Sequence, residues 1–225
     1  MNAFKQLVDF LQVYAKSPIL NPPASPGDLS EFEDVIGNKL PEDVRAAYRL
    51  GNGEVEHIEP IKPDKYPRPW IFSGKDFYST HTAIDEYLFF KELLDDGDFE
   101  DFRVDDLLVY PTDTIKDNVF NPNWIPIGGA SPGTIAIDFD PAPSGTKEQV
   151  ITFSTDNDKY FQLGTSFNDF CLFLLDQYKQ QKMHLWVLRD DDPDKEEELL
   201  YNGLCRIHDC VEERRPLPPP LKGYF

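Results

Sequence analysis

A chain of 225 residues with 40% hydrophobic and 13% aromatic side chains can bury a sizeable core, which excludes a globally disordered protein. Forty-one acidic residues against 22 basic ones give a net charge of −19 at pH 7, a surface that repels nucleic-acid backbones and anionic membranes and favours a basic protein partner. No run approaches the roughly 18 apolar residues of a membrane span; the N-terminus lacks a signal-peptide pattern; and three cysteines (Cys171, Cys205, Cys210) suit a reducing compartment, so the chain reads as cytoplasmic.

In chain order, Phe4, Leu7, Val8, Leu11 and Tyr14 recur at helical spacing and predict a first helix over 2–15. Pro18, Pro22, Pro23 and Pro26 break it, and a second helix is expected from about Leu29 to Ile36, stopped by Gly37. LPEDVRAAYRLGNG predicts a third, with Glu42 and Asp43 complementing the helix dipole and Gly51 as its C-terminal stop. Residues 54–72 read as short strands between prolines. A fourth helix is expected over 82–94, leading into an acidic loop: from Asp85 to Asp106 ten acids face two bases.

The period then changes to two. NWIPIGG, GTIAIDFD, QVITFST and KYFQLGT predict four short strands, the last two joined by a turn at Asp156-Asn157-Asp158. SFNDFCLFLLDQYKQQ predicts a capped helix with Ser166 as N-cap, Asp169 completing a capping box, and a buried face that includes Cys171. After MHLWVL the composition shifts: seven acids and one lysine occupy 190–198, then a helix-like segment and a polyproline-type tail, RRPLPPPLKGYF. The organisation expected is one α+β domain over 1–188, with a mostly antiparallel sheet flanked by helices, and an acidic helical extension with a Pro-rich tail over 189–225.

Residue patterns for chemistry do not assemble. His57, His81, His184 and His208 show no i,i+4 metal spacing, and neither a GxSxG elbow nor an HExxH motif occurs. Gly128-Gly129-Ala130-Ser131-Pro132-Gly133 is followed by Thr134-Ile135 instead of the Lys-Ser/Thr of a phosphate loop, and reads as a strand-to-strand connection. Cys205, His208 and Cys210 lack a fourth zinc ligand, and a helix would rotate 210 away from the other two. Asp138 and Asp140 lie at i and i+2, where a strand points both carboxylates the same way; with Pro141 next, the expectation is a solvated strand end. No catalytic residue, cofactor or metal is expected, and the chain reads as a binding protein.

Two segments resemble the SUKH superfamily, the group of Smi/Knr-type cell-wall-assembly-regulator domains. LPEDVRAAYRLGNG is similar to its Leu-Pro, helix, Tyr, Asn-Gly block, and NPNWIPIGGASPGTIAIDFDPAPSGTKEQVITFS to its second block, with SFNDFCLFLLDQY as the closing helix. The resemblance covers about residues 25 to 180 and rests on Leu40, Pro41, Tyr48, Asn52, Gly53, Trp124, Pro126, Ile127, Gly128, Asp138, Gly145 and Val150. It implies an α+β fold and a binding role: bacterial members look like immunity proteins that block toxins, many of them nucleases, and fungal members like signalling scaffolds. The matching residues are expected to hold the fold. Asp95, Asp96, Asp98, Glu100 and Asp101 are the expected partner-binding residues, facing a basic toxin surface; the alternative is a scaffold or regulatory adaptor.

Overall fold

Both faces of the central sheet are covered, because every residue of its three middle strands is buried. A computed structural model describes residues 2–59, 71–72, 75–99, 107–129, 133–154 and 159–180. The described elements are α1 (Ala3–Gln12), α2 (Pro26–Ile36), α3 (Glu42–Leu50), β1 (Asp76–Phe77), α4 (Thr80–Asp96), β2 (Leu108–Tyr110), β3 (Trp124–Gly129), β4 (Thr134–Asp138), β5 (Gln149–Phe153), β6 (Lys159–Gly164) and α5 (Phe167–Lys179). The strand order is β1-β3-β4-β5-β6-β2. All neighbours are antiparallel except β2 and β6, which run parallel. The α+β class and the mostly antiparallel sheet agree with the sequence reading. No described helix is long and apolar enough to cross a membrane.

Helix α4 lies against β3, with Phe90 packed on Phe120 (5.3 Å between ring centroids) and Phe153 (5.0 Å). Trp124 extends this cluster to Phe153 (5.4 Å) and Tyr160 (5.8 Å). Helices α5 and α1 pack together, α5 along β5 and β6, and Phe4 of α1 meets Phe77 and Phe167 at 5.0 and 5.6 Å. Asp43 accepts the Asn168 N–H at 2.9 Å and so ties α3 to the start of α5.

Several boundaries differ from the expectations for identifiable reasons. Helix α2 starts three residues early, because Pro26 occupies its first turn, where a missing N–H costs nothing, and Ser25 with Asp28 forms a full capping box. Gly51 does not end α3 in the left-handed conformation; its φ is −170°, and it is small because a Cβ would lie 2.5 Å from that of Leu20. Gly53 does take the positive φ (+85°) expected of Asn52-Gly53, and a Cβ there would strike the Ser79 backbone at 2.5 Å. Asp169 does not complete a capping box: its N–H bonds Ser166, but its carboxylate takes the Thr165 hydroxyl. Residues 54–59 form no strand beyond an isolated bridge between Leu20 and Glu54. The Asp156-Asn157-Asp158 turn, CRIHDC, the tail and the whole 189–225 extension lie outside the described residues.

Candidate protein-binding face

Helix α4 is longer than its apolar pattern suggests. Ser79 caps it by accepting the Thr82 N–H, and Asn52 fastens the first turn, accepting the Thr80 N–H at 2.8 Å and donating to the Thr80 hydroxyl at 3.2 Å. Gly97, left-handed at φ 81°, closes the other end with bonds from the Gly97 and Asp98 N–H groups to Leu94 and Leu93 carbonyls. The residues read as an acidic loop therefore divide. Asp95 and Asp96 form the last turn of the helix, Asp98 follows the cap, all three are exposed, and Glu100 and Asp101 lie outside the described residues.

The helix buries Ala83, Ile84, Tyr87 and Phe90. Its other face holds Asp85, Leu88, Phe89, Glu92, Asp95 and Asp96, all exposed, with Leu88 47% and Phe89 53% accessible. Lys91, on the same helix, is held by Asp95 at 2.5 Å. Sequence reasoning found the acids but singled out neither Leu88 nor Phe89 as exposed. The signal was present: in an LFF run on one helix, three consecutive residues cannot all face one core.

Carboxylates at this end oppose the helix dipole, whose C-terminus already carries a partial negative charge. The last turn has no basic residue to offset them. Each such charge disfavours the helix by a few tenths of a kcal/mol up to about 1. Folding does not account for the concentration of acid here.

The sheet interior holds a second group of acids. Asp138, expected at a solvated strand end, is wholly buried. Its carboxylate accepts the Asp140 N–H at 2.9 Å and the Gln149 amide at 2.8 Å. The Trp124 indole N–H leans on the same group, short of full hydrogen-bond geometry. Burial is the main cause that pushes the Asp138 pKa up to about 6; these donors oppose it and the Asp140 charge adds to it. Asp140 lies beyond the strand, where the Lys116 amine (2.6 Å) and Asn121 (3.0 Å) hold it below the usual carboxylate range. Among the described residues no three His, Cys, Asp or Glu side chains cluster as a metal site.

Residues 23–172 match the family model described as SMI1 / KNR4 family (SUKH-1). The chain belongs to that family. It is also 21% identical over 198 residues to "Cell wall assembly regulator SMI1" of Saccharomyces cerevisiae, covering 78% of this chain and 38% of that protein. The chain thus spans well under half the length of the curated relative it matches.

Within this SMI1/KNR4 domain the residues that carried the resemblance are mostly interior: Leu40, Tyr48, Trp124, Pro126, Ile127, Asp138 and Val150 are all buried. Tyr48 wedges between Phe32 (5.9 Å) and Phe77 (4.9 Å). Gly128 has no room for a side chain, since a Cβ would lie 2.6 Å from the Asp76 carbonyl oxygen. The family pattern is a folding pattern, and the α4 acids stand outside it.

Proposed function

We propose that this SMI1/KNR4 domain is a non-catalytic, cytoplasmic binding protein that neutralises a basic protein partner, a toxin in the manner of an immunity protein, through the outer face of α4. One observation carries the reading: Leu88 and Phe89 stand exposed inside a ring of Asp85, Glu92, Asp95 and Asp96. A central apolar pair with a charged rim is the anatomy of an energetic hot spot, and a nuclease toxin offers the complementary surface, a basic groove built to hold phosphates. The acids steer the encounter, the apolar pair slows dissociation, and substrate is displaced without a chemical step.

The test is an association rate measured at low and high salt against the product of a toxin-like reading frame adjacent to the gene. The parent should bind fast and lose rate steeply as salt rises. Changing Asp95, Asp96 and Asp98 together to Asn should slow association about tenfold and weaken protection in cells, while stability stays equal or rises by up to about 1 kcal/mol as the dipole conflict is relieved. A salt-independent rate, or undiminished protection, removes α4 as the binding face.

A second reading, a regulatory adaptor, is favoured by the similarity to the yeast protein whose name describes a cell wall assembly regulator. An isolated gene without a toxin neighbour, and a partner that survives loss of the α4 acids, would select it.

A further inference from the structure

Helices α2 and α4 pack against each other, and both start from the same point of the fold. The Asn52 N–H bonds the Pro22 carbonyl at 3.0 Å, just before the Ser25 cap of α2, while the Asn52 side chain holds Thr80 in the first turn of α4. Leaving one point and staying packed, the two helices run the same way. Val35 lies about ten residues past the Ser25 cap, and Leu88 and Phe89 lie about as far past Ser79, so the three stand at one level.

The helical turn then sets their direction. On α4, Glu86 faces the sheet, where its carboxylate accepts the Thr134 hydroxyl at 3.4 Å. Two residues on, Leu88 is turned by about 200° from it, away from the sheet and toward α2. On α2, Glu33 faces the Arg45 guanidinium of α3, and Val35 is turned by the same angle away from that contact. Val35 is 36% exposed, and like Leu88 and Phe89 it is a large apolar side chain left on the surface. Exposed acids flank the three residues on both helices, Glu31 and Asp34 on α2, Asp85 and Glu92 on α4. Lys39, beyond the end of α2, is bound to Glu33 at 2.8 Å, and Lys91 of α4 to Asp95, so these two cations do not offset the flanking acids. A seam between two packed helices is the ordinary seat of a third, with its ridge of side chains set in the groove.

We infer that α2 and α4 form one two-helix surface, and that the partner engages it with a single amphipathic helix laid along the seam. The apolar stripe of that helix meets Val35, Leu88 and Phe89. Its flanking lysines or arginines meet Glu31 and Asp34 on one side and Asp85 and Glu92 on the other. This rests on the reading of α4 as the binding face, and adds to it the element that the partner uses and a second helix of this chain.

The experiment titrates the full chain with a synthetic peptide of about 18 residues, five turns of helix, with leucines at every third and fourth position and lysines between. Backbone amide shifts report the site, and circular dichroism reports the peptide. A second peptide has the same composition in scrambled order, so the charge is kept and the apolar stripe is lost. The first peptide should saturate, gain helix on binding, and shift residues around both Val35 and Leu88. The scrambled peptide should bind at least about tenfold more weakly. Val35→Ser and Leu88→Ser should each weaken binding at least about fivefold, and both should unfold like the parent because the positions are exposed. Equal binding by the two peptides would mean general attraction to a chain of charge −19 and overturns the inference, as does the absence of saturable binding. Shifts confined to α4, with Val35→Ser binding like the parent, overturn it too, and leave the α4 reading standing. That reading fails separately, by a salt-independent rate or undiminished protection.

Discussion

Glu33 and Asp138 are both buried carboxylates on the same chain, and their environments move them in opposite directions. At Glu33, between α2 and α3, burial pulls the pKa up. Lys39 at 2.8 Å, the Arg45 guanidinium and the Leu40 N–H outweigh it, and the carboxyl sits below its usual value. At Asp138 the donors are neutral, a backbone N–H, an amide and an indole, and a second carboxylate stands nearby; burial wins and the pKa rises to about 6. The lesson is that the number of hydrogen bonds does not fix the charge of a buried acid. The formal charge of the donors does.

The largest expected effect comes from Trp124, which is fully buried and serves both the aromatic cluster and Asp138. Trp124→Ala should cost about 3–5 kcal/mol in urea unfolding. Trp124→Phe keeps much of the packing but deletes the indole N–H, so the Asp138 titration, followed by carboxyl NMR, should move further up. If Trp124→Ala matches the parent in stability and loses its partner instead, Trp124 belongs to an interface. A smaller loss is expected at Glu33→Ala, about 2–3 kcal/mol, below that of a fully buried pair because Lys39 and Arg45 both reach water. A loss under about 0.5 kcal/mol would mean that its cations are as well served by solvent.

Asp138→Asn should cost about 1 kcal/mol at neutral pH, since its amide turns a donor toward one of the two N–H groups. Its pH dependence is the sharper test. The folded pKa lies above the unfolded value, so the Asp138 contribution is fully present below about pH 4 and is lost as pH rises through 6. Glu33 runs the other way: its contribution is present above about pH 4 and is lost as pH falls through its lowered folded pKa. Unfolding curves at several pH values for parent and Asp138→Asn should therefore diverge in the parent's favour as pH falls from 7 to 4. Parallel curves would show that Asp138 titrates normally.

The four central strands and α5 were legible because short runs of β-branched and aromatic residues between Gly, Pro, Asn and Asp, and a capping serine before a helical period, are local signals. The edge strands β1 and β2 were not, since two or three residues carry no period and exist only through their pairing with β3 and β6. Asp138 shows a deeper limit. An acid at i and another at i+2 looks solvated until the long-range partners Gln149 and Trp124 are known. On α4 the acids were visible as composition, but the exposed Leu88 and Phe89 were not, because which apolar residues a helix buries depends on the sheet beneath it.

The family match begins at residue 23, yet the ten residues of α1 lie before it and belong to the interior: Phe4, Leu7 and Leu11 are fully buried, and the Ala3 N–H bonds Asn168 at 3.3 Å. The family match and the folding unit are therefore not the same length. A fragment cut at the edge of sequence similarity would leave one side of α5 and Phe77 open to water, and its stickiness would mimic a binding surface that the intact chain does not possess.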